Sequence, residues 1–442
     1  MDKIDYMTCK NCKYADWNKK ICSIHTKFDP KKTIQSDEPR KITATTSCAD
    51  FTERPEELIE NKLEHLHNVY KELLHVEDTK RIDVILAVAL SRKMEGIPLW
   101  LILVGASGDM KSVQLNAIED EETLVMHNLT SKTIVNGYKD KNKHPDLAPY
   151  MNKKLVVIPD MAQILKLPPN EKAELWGQLR DLYDGLAGKM SGQGSRSRYK
   201  GLHVTLLAGS TPAIDAQILV HQDLGTRELV YRTEGNKRKE DVMWKCFQNE
   251  SEEKSIKERL REVTTNFIKA TEIKRKQIPN EILKEIMDIS IYITYMRASA
   301  EIDSYTNTLR NDVYPEEPTR ISKQLKRLFI CLKSLSKDYS DKRALEILWH
   351  VGKSSAFPLR IKIFELLLQT TSEFSTSQIA DKLHIGKGTA QRELQIMWNM
   401  GLVELRKVET NYPDKFYDYW KIEQNHPFIQ EMLKPIPSEN IW

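Results

Sequence analysis

The chain has no run of about twenty uninterrupted apolar residues, so no segment of it reads as a membrane-spanning helix. Its first residues, MDKIDYMTCKNCK, are polar and lack the apolar stretch of a secretory leader, which sets the expectation of a cytoplasmic protein with no membrane partner. Charge of one sign is missing too: 67 Lys and Arg stand against 63 Asp and Glu, a net +4 over 442 residues. So small an excess means that any surface built for a polyanion has to be local. Internal repeats and low-complexity tracts are also absent, which excludes a solenoid or a fibrous array.

Cysteine is scarce and uneven, with six in all. Cys9, Cys12, Cys22 and Cys48 fall within residues 1–54, whereas Cys246 and Cys331 stand alone and are expected to be buried or inert thiols. In a reducing compartment such a cluster reads as a metal site before it reads as disulfides. "CKNCKYADWNKKICSIH" gives C-x2-C and then C-x2-H, the knuckle spacing that tetrahedral zinc accepts. Cys9, Cys12, Cys22 and Cys48 are the favoured ligands, with His25 as the alternate fourth. An iron–sulfur cluster could use the same four thiolates. Structural zinc suits better a small polar module that has little apolar periodicity with which to bury a core.

What is present begins after Arg54-Pro55. "EELIENKLEHLHNVYKELLH" places Leu58, Leu63, Leu66, Val69 and Leu73 near one helical face. An almost wholly apolar helix follows, "RIDVILAVALSRKM", and then the apolar runs "GIPLWLILVG", "TLVMHNL", "KLVVIPDM" and "HVTLLAGSTP", with helical segments such as "EKAELWGQLRDLY" between them. Strands alternating with helices predict a largely parallel sheet covered on both faces. Beyond about residue 240 the composition turns helical, and 357–421 reads as helix, helix, turn, helix and then "LVELRKVETNYPDKFYDYWKI". The expected divisions are 1–54, 55–240, 241–345 and 346–442.

The segment "PLWLILVGASGDMKSVQL" nearly fits G-x-x-x-x-G-K-[ST], with Met110 in place of the second glycine. A phosphate-binding loop needs an apolar strand feeding it, glycine to turn N–H groups toward the phosphates, and Lys-Ser/Thr opening a helix. All three are here. Gly105, Ala106, Ser107, Gly108, Asp109, Met110, Lys111 and Ser112 form the candidate loop, with Lys111 on the β- and γ-phosphates of ATP and Ser112 ligating Mg²⁺. Positive φ is expected at Gly105 and Gly108, and ordinary backbone angles at Met110. The alternative is a chance Lys-Ser after a strand. In "NKKLVVIPDM" the second strand ends on one carboxylate, Asp160, for the Mg²⁺ shell, with no glutamate beside it to polarise water. A lone Asp there also reads as a helix cap. "VTLLAGSTP" ends at Ser210-Thr211-Pro212, a polar edge near the γ-phosphate, and "LGTRELVYR" offers Arg227 as an arginine finger for a neighbouring subunit's nucleotide, with Arg232 as a weaker candidate.

In their order and spacing these residues resemble the minichromosome-maintenance (MCM) group of AAA+ replicative helicases, in particular the short relatives carried by mobile elements. The MCM loop G-D-P-G-x-A-K-S is similar to "GASGDMKS" at Gly105, Gly108, Lys111 and Ser112. "LLAGSTP" looks like the family's sensor strand L-A-A-A-N-P, with Thr211 in the asparagine position, and "GTREL" resembles its S-R-F-D segment at Arg227. "PEEPTRISKQLKRLF" looks like the lid segment whose arginine meets nucleotide in trans, which implies Arg320. The chain departs from the family in having no I-D-E-F sequence and no large oligonucleotide-binding N-terminal domain.

The resemblance implies a multi-domain α/β protein: an AAA+ P-loop parallel sheet with a helical lid, a zinc-binding module before it and a C-terminal winged helix-turn-helix after it. It also implies ATP hydrolysis coupled to DNA, single-stranded or duplex, in a homo-oligomeric ring such as a hexamer. The insertion at 188–201, "GKMSGQGSRSRYKG", resembles the hairpin that family members project at DNA, with Lys189, Arg196, Arg198 and Lys200 for phosphates and Tyr199 for stacking. The alternative there is a solvated loop. On the terminal helix-turn-helix, Lys387, Thr389, Gln391, Arg392 and Gln395 are left outward for a major groove, while Ala390, Leu394 and Met397 face the core. Such modules also serve protein contacts. The competing function is an ATP-binding regulator or replication initiator whose nucleotide controls assembly without unwinding; a degenerate scaffold would bind no nucleotide.

Overall fold

The computed structural model describes residues 62–136, 145–190, 196–216, 226–235, 239–275, 277–300, 303, 309–409 and 416–433, together with three short strands before them. The chain divides into two compact units, Met1–Leu66 and His67–Trp442. In the first, β1 (Ala15–Asp16), β2 (Ile21–Cys22) and β3 (Arg40–Lys41) pair antiparallel in that order. Cys9, Cys12, His25 and Cys48 lie outside the described residues, and Cys22 is placed by its backbone alone.

The second unit is built on five parallel strands: β4 (Trp100–Val104), β5 (Thr123–Val125), β6 (Leu155–Ile158), β9 (Thr205–Ser210) and β10 (Leu229–Arg232). Their spatial order is β10-β4-β9-β6-β5. Every residue of β4, β6 and β9 is buried, as expected where helices cover both faces of a sheet. β10 is an edge strand, and its outward N–H groups are not left open. Those of Val230 and Arg232 donate to the hydroxyls of Ser355 and Ser354, at 2.8 and 3.0 Å, at the end of the helix Asp341–Ser354. The apolar run "RIDVILAVALS" forms the helix Thr79–Ser91, capped by Asp78 and buried from Arg81 to Ser91. Between the helix Pro169–Tyr183 and β9 stands an antiparallel hairpin, β7 (Leu186–Met190) with β8 (Arg196–Lys200).

The helices Glu253–Ala270, Asn280–Arg297, Thr319–Ser334 and Asp341–Ser354 follow. Gly352 permits close packing among them: a Cβ there would stand 2.8 Å from Ile289. Next come the helices Pro358–Leu368, Thr376–Leu383 and Lys387–Asn399 with a sheet β11-β13-β12, in which β12 (Val403–Glu409) and β13 (Phe416–Ile422) form a hairpin and β11 is Phe374–Ser375, and then the helix Pro427–Met432. Arg360 is buried and ties the first of these helices to the third through Glu393, at 2.8 Å. Among the described residues no helix is long and apolar enough to cross a membrane.

Candidate nucleotide site and basic surfaces

Strand order alone locates a crevice. From β4 the chain crosses toward β5 at one edge, whereas from its neighbour β9 it crosses the other way to β10. Open parallel sheets bind ligands at such a switch point, beyond the carboxyl ends of the strands. The loop 105–110 lies there, with the Gly105 N–H donating to the Ser210 carbonyl at 3.1 Å.

The loop is shaped by two left-handed residues, Gly108 at φ +80° and Met110 at φ +52°. Gly108 is as expected, whereas the expectations for Gly105 and Met110 are corrected. Met110 does not have ordinary angles; it takes the conformation that the missing second glycine would take most easily. Gly105 has no positive φ and is needed for space instead. A Cβ on it would meet Thr233 Oγ1 at 2.0 Å and Asp109 Oδ2 at 2.6 Å.

Those atoms belong to a buried brace that sequence reasoning missed. Asp109 accepts from Arg81 at 2.9 Å through Oδ1 and from Thr233 Oγ1 at 2.5 Å through Oδ2. Arg81 is 2 % exposed, so the brace ties the loop to the helix Thr79–Ser91 and to the residue after β10. The available signal was a charged pair, Arg81 and Asp83, inside an otherwise apolar helix.

Lys111 opens the short helix Lys111–Asn116, and its ammonium donates to the Gly105 and Ala106 carbonyls at 2.9 and 2.6 Å. Burial pushes its pKa below the ordinary lysine value, against the pull of Asp109 and Asp160, with Arg81 adding to the depression. Among the described residues, the N–H groups of Ala106, Ser107, Gly108 and Met110 make no backbone hydrogen bond, so four donors line the loop. The Ser112 hydroxyl donates to the Pro159 carbonyl at 3.3 Å, which sets it beside Asp160 at the end of β6. Asp160 is exposed and accepts from the Ala162 N–H at 2.9 Å, at the start of the helix Ala162–Leu165. Thr211 follows β9 in extended conformation, half-buried at the same crevice. The donor set suits a polyphosphate with a hard divalent cation: free amides and an ammonium for the anion, a hydroxyl and a carboxylate for Mg²⁺. Among the described residues no group of three or more His, Cys, Asp or Glu could hold a metal by itself.

The two candidate arginines lie at the other edge of the sheet. Arg227 precedes β10 and pairs with Asp184 at 2.8 Å, and Gln324 of the helix Thr319–Ser334 donates to its carbonyl at 2.6 Å. Arg320, on the first turn of that helix, pairs with Glu316 at 2.9 Å. Burial by itself raises the Glu316 carboxyl, but Arg297 and Arg320 together hold it below the usual range. Burial pushes Glu228, beside them, above its usual value. The fold thus gathers Arg227 and Arg320, distant in sequence, and separates both from the loop by the length of a strand. Arg232 sits at the loop's edge and is paired with Asp215 at 2.7 Å.

The hairpin β7–β8 sorts its residues by strand alternation. Arg196, Arg198 and Lys200 are exposed on one face. Lys189 and Tyr199, expected with them, belong to the other. Lys189 pairs with Glu174 at 2.8 Å, and the Tyr199 hydroxyl donates to Asp146 at 2.9 Å. On the helix Lys387–Asn399, Lys387, Thr389 and Arg392 are exposed. Gln391 and Gln395 are not free to face a groove: both are half-buried beneath the β12–β13 hairpin, and Gln391 is bonded to Thr376 and Asp418 at 2.8 and 2.9 Å. Of the lone cysteines, Cys331 is buried and its thiol is pushed up to about 12, whereas Cys246 is exposed.

No protein-family model and no curated protein matches the chain. Solved structures to which it is similar include a C-terminal region of NrS-1, at 11% identity and TM-score 0.31 over 90% of this chain and 84% of that one. A full-length MCM homolog from Methanopyrus kandleri aligns at 13% identity and TM-score 0.39 over 72% and 68%. An active helicase, SCCmec type IV Cch, aligns at 9% identity and TM-score 0.34 over 83% and 71%.

Proposed function

We propose that the chain is an ATP-driven motor on DNA of the MCM-like AAA+ kind, a helicase or helicase loader of a mobile element working as a homo-oligomeric ring. The carrying observation is the loop at the sheet's switch point: four unbonded amides and Lys111, beside Ser112 and Asp160. In this reading the amides and Lys111 grip the phosphates. Ser112 and Asp160 hold Mg²⁺, which neutralises charge that builds on the transferred phosphoryl group. Thr211 orients the attacking water from the end of β9. Arg227 and Arg320, turned away from their own loop, leave Asp184 and Glu316 to meet a neighbour's nucleotide.

Arg196, Arg198 and Lys200 would contact DNA phosphates from the hairpin. Lys387, Thr389 and Arg392 would do so from the winged helix that the helices Pro358–Leu368, Thr376–Leu383 and Lys387–Asn399 and their sheet resemble. Cys9, Cys12, Cys22 and Cys48, or His25 in place of Cys48, would hold zinc in the N-terminal module.

One observation favours the second reading, a nucleotide-switched regulator. Asp160 is the only carboxylate at the end of β6, and it is already engaged with Ala162. Calorimetry with Mg·ATP and a strand-displacement assay separate the two. Binding and unwinding that both vanish in Lys111→Ala support the motor. ATP-dependent assembly without unwinding leaves the switch, and no heat from Mg·ATP at millimolar concentration removes both.

A further inference from the structure

The helix Lys387–Asn399 carries amides at 391, 395 and 399, four residues apart and therefore along one face. That face looks into a cleft of about 1000 Å³. The β12–β13 hairpin forms the opposite wall through Lys407 and Trp420, and the segment 309–314 closes a third side, tied down by the Val313 N–H on Asn399 Oδ1 at 2.7 Å. Gln391 is engaged with its neighbours. Gln395 is not: its Oε1 is buried and has no hydrogen-bond partner among the described residues. A buried, unpaired acceptor is costly; this one is closed to solvent as the amide stands, and a turn of the amide about its last torsion would present it to a donor in the cleft.

The mouth adds two chemistries to that orphan acceptor. Trp398, 49% exposed, and Tyr314, 79% exposed, offer flat aromatic faces; Lys407 supplies a cation, as does Arg310, which is paired with Asp303 at 2.9 Å, and Asp312 and Asp418 also line the cleft, so the cations serve a single phosphate at most. Aromatic planes to stack on, amides to read a base edge and cations for phosphate together make a binding surface for unpaired nucleic acid. A cleft walled on three sides admits an extruded base but not a stacked duplex.

We propose that this cleft binds an unpaired nucleobase with a single adjoining phosphate. The terminal domain would then hold single-stranded nucleic acid beside any duplex contact made by Lys387, Thr389 and Arg392. The proposal deepens the DNA-acting reading above and rests on it for the class of ligand, but not on nucleotide hydrolysis.

The test uses the full chain carrying Arg196→Ala and Arg198→Ala, so that the β7–β8 hairpin contributes less to binding. Fluorescence anisotropy is read with labelled oligo-dA, oligo-dT, their RNA counterparts and a duplex of the same length. Single strands should bind more tightly than the duplex. Trp398→Ala should weaken them by about five- to one-hundredfold, the range for one stacked base. Gln395→Met, which keeps the shape and removes the acceptor, should weaken oligo-dA and oligo-dT alike, because unpaired adenine presents an exocyclic amino donor and unpaired thymine a ring N–H.

Adenosine monophosphate forms the second arm. Competition at matched concentration assigns the cleft to free nucleotides and its absence to a strand, and either outcome keeps the nucleobase. Duplex-only binding, or affinities unmoved by both substitutions, overturns the proposal. So do photocrosslinks from a thio-substituted base that map outside 309–314, 391–407 and 418–420. Unchanged melting curves for the two variants exclude misfolding as the cause. Mg·ATP binding measured on the same samples separates failure of the cleft from failure of the nucleotide site.

Discussion

Met110 should be more comfortable as glycine than as any other residue. It closes the loop at φ +52° and ψ 17°, a left-handed conformation that costs an L residue about 1–2 kcal/mol. Glycine removes that penalty and adds about 0.5–1 kcal/mol of unfolded-chain freedom, so Met110→Gly should gain about 0.5–1 kcal/mol. Met110→Ala is the control, because it truncates the side chain but keeps the Cβ that makes the conformation costly. The difference between the two variants therefore isolates the backbone. It should be about 1 kcal/mol in favour of glycine, or about 2–4 °C in the melting temperature of a domain of 150–250 residues. Differential scanning calorimetry of the full chain without nucleotide reads that difference. Mg·ATP affinity should stay within about threefold for glycine, since the loop already holds the required shape. An alanine variant as stable as the glycine variant would refute the reasoning, because position 110 would then carry no strain.

The remaining predictions concern the neighbouring residues. Gly105→Ala puts a Cβ 2.0 Å from Thr233 Oγ1 and 2.6 Å from Asp109 Oδ2; overpacking of about 1–3 kcal/mol should displace the loop and lower Mg·ATP affinity at least tenfold in calorimetry, with circular dichroism unchanged. Lys111→Ala and Arg227→Ala should each abolish ATPase activity, and mixing the two should restore part of it, because a mixed ring contains sites with an intact loop and an intact neighbour. A mixture that stays inactive at every ratio tells against a shared site. Replacing Arg196, Arg198 or Lys200 by Ala should each lower the slope of log K against log[salt] by about 0.7 on a single strand, whereas Lys189→Ala, already paired with Glu174, should leave it unmoved.

Much of the sheet was legible because parallel strands buried on both faces are mostly apolar: β4 and β6 are so throughout, and β9 is so from Leu206 to Ala208. β10 is not among the apolar runs that signal a strand, because four residues ending in Arg232 carry little signal alone. Its place beside β4 is fixed by hydroxyls from 354 and 355, which no local pattern reveals. The loop's chemistry was legible in Gly105, Gly108, Lys111 and Ser112, but its backbone was not. Which residue takes positive φ depends on how the chain turns, and Met110 in that role runs against its own preference. Strand alternation misplaced Lys189 and Tyr199 for a related reason. A basic run looks like one surface until register divides it between two faces, one of which has Glu174 and Asp146 waiting.

The separation of the site is the part that periodicity could least supply, and it bears most on mechanism. Loop residues follow their strands and Arg227 precedes its own, so in a parallel sheet the two stand apart by at least the run of β10, about 13 Å at the rise of an extended chain. The helix Thr319–Ser334 lies with the arginine edge, because Gln324 holds the Arg227 carbonyl and Arg327 holds the carbonyls of Ser91 and Met94 before β4. No side-chain rotation carries Arg227 or Arg320 across that distance to its own loop. If these arginines act on nucleotide at all, a second copy has to bring its loop edge to this arginine edge. Such a contact is heterologous and can repeat around a ring. The carboxylates that hold the arginines in the single chain, Asp184 and Glu316, would then be the groups that a neighbour's phosphates displace.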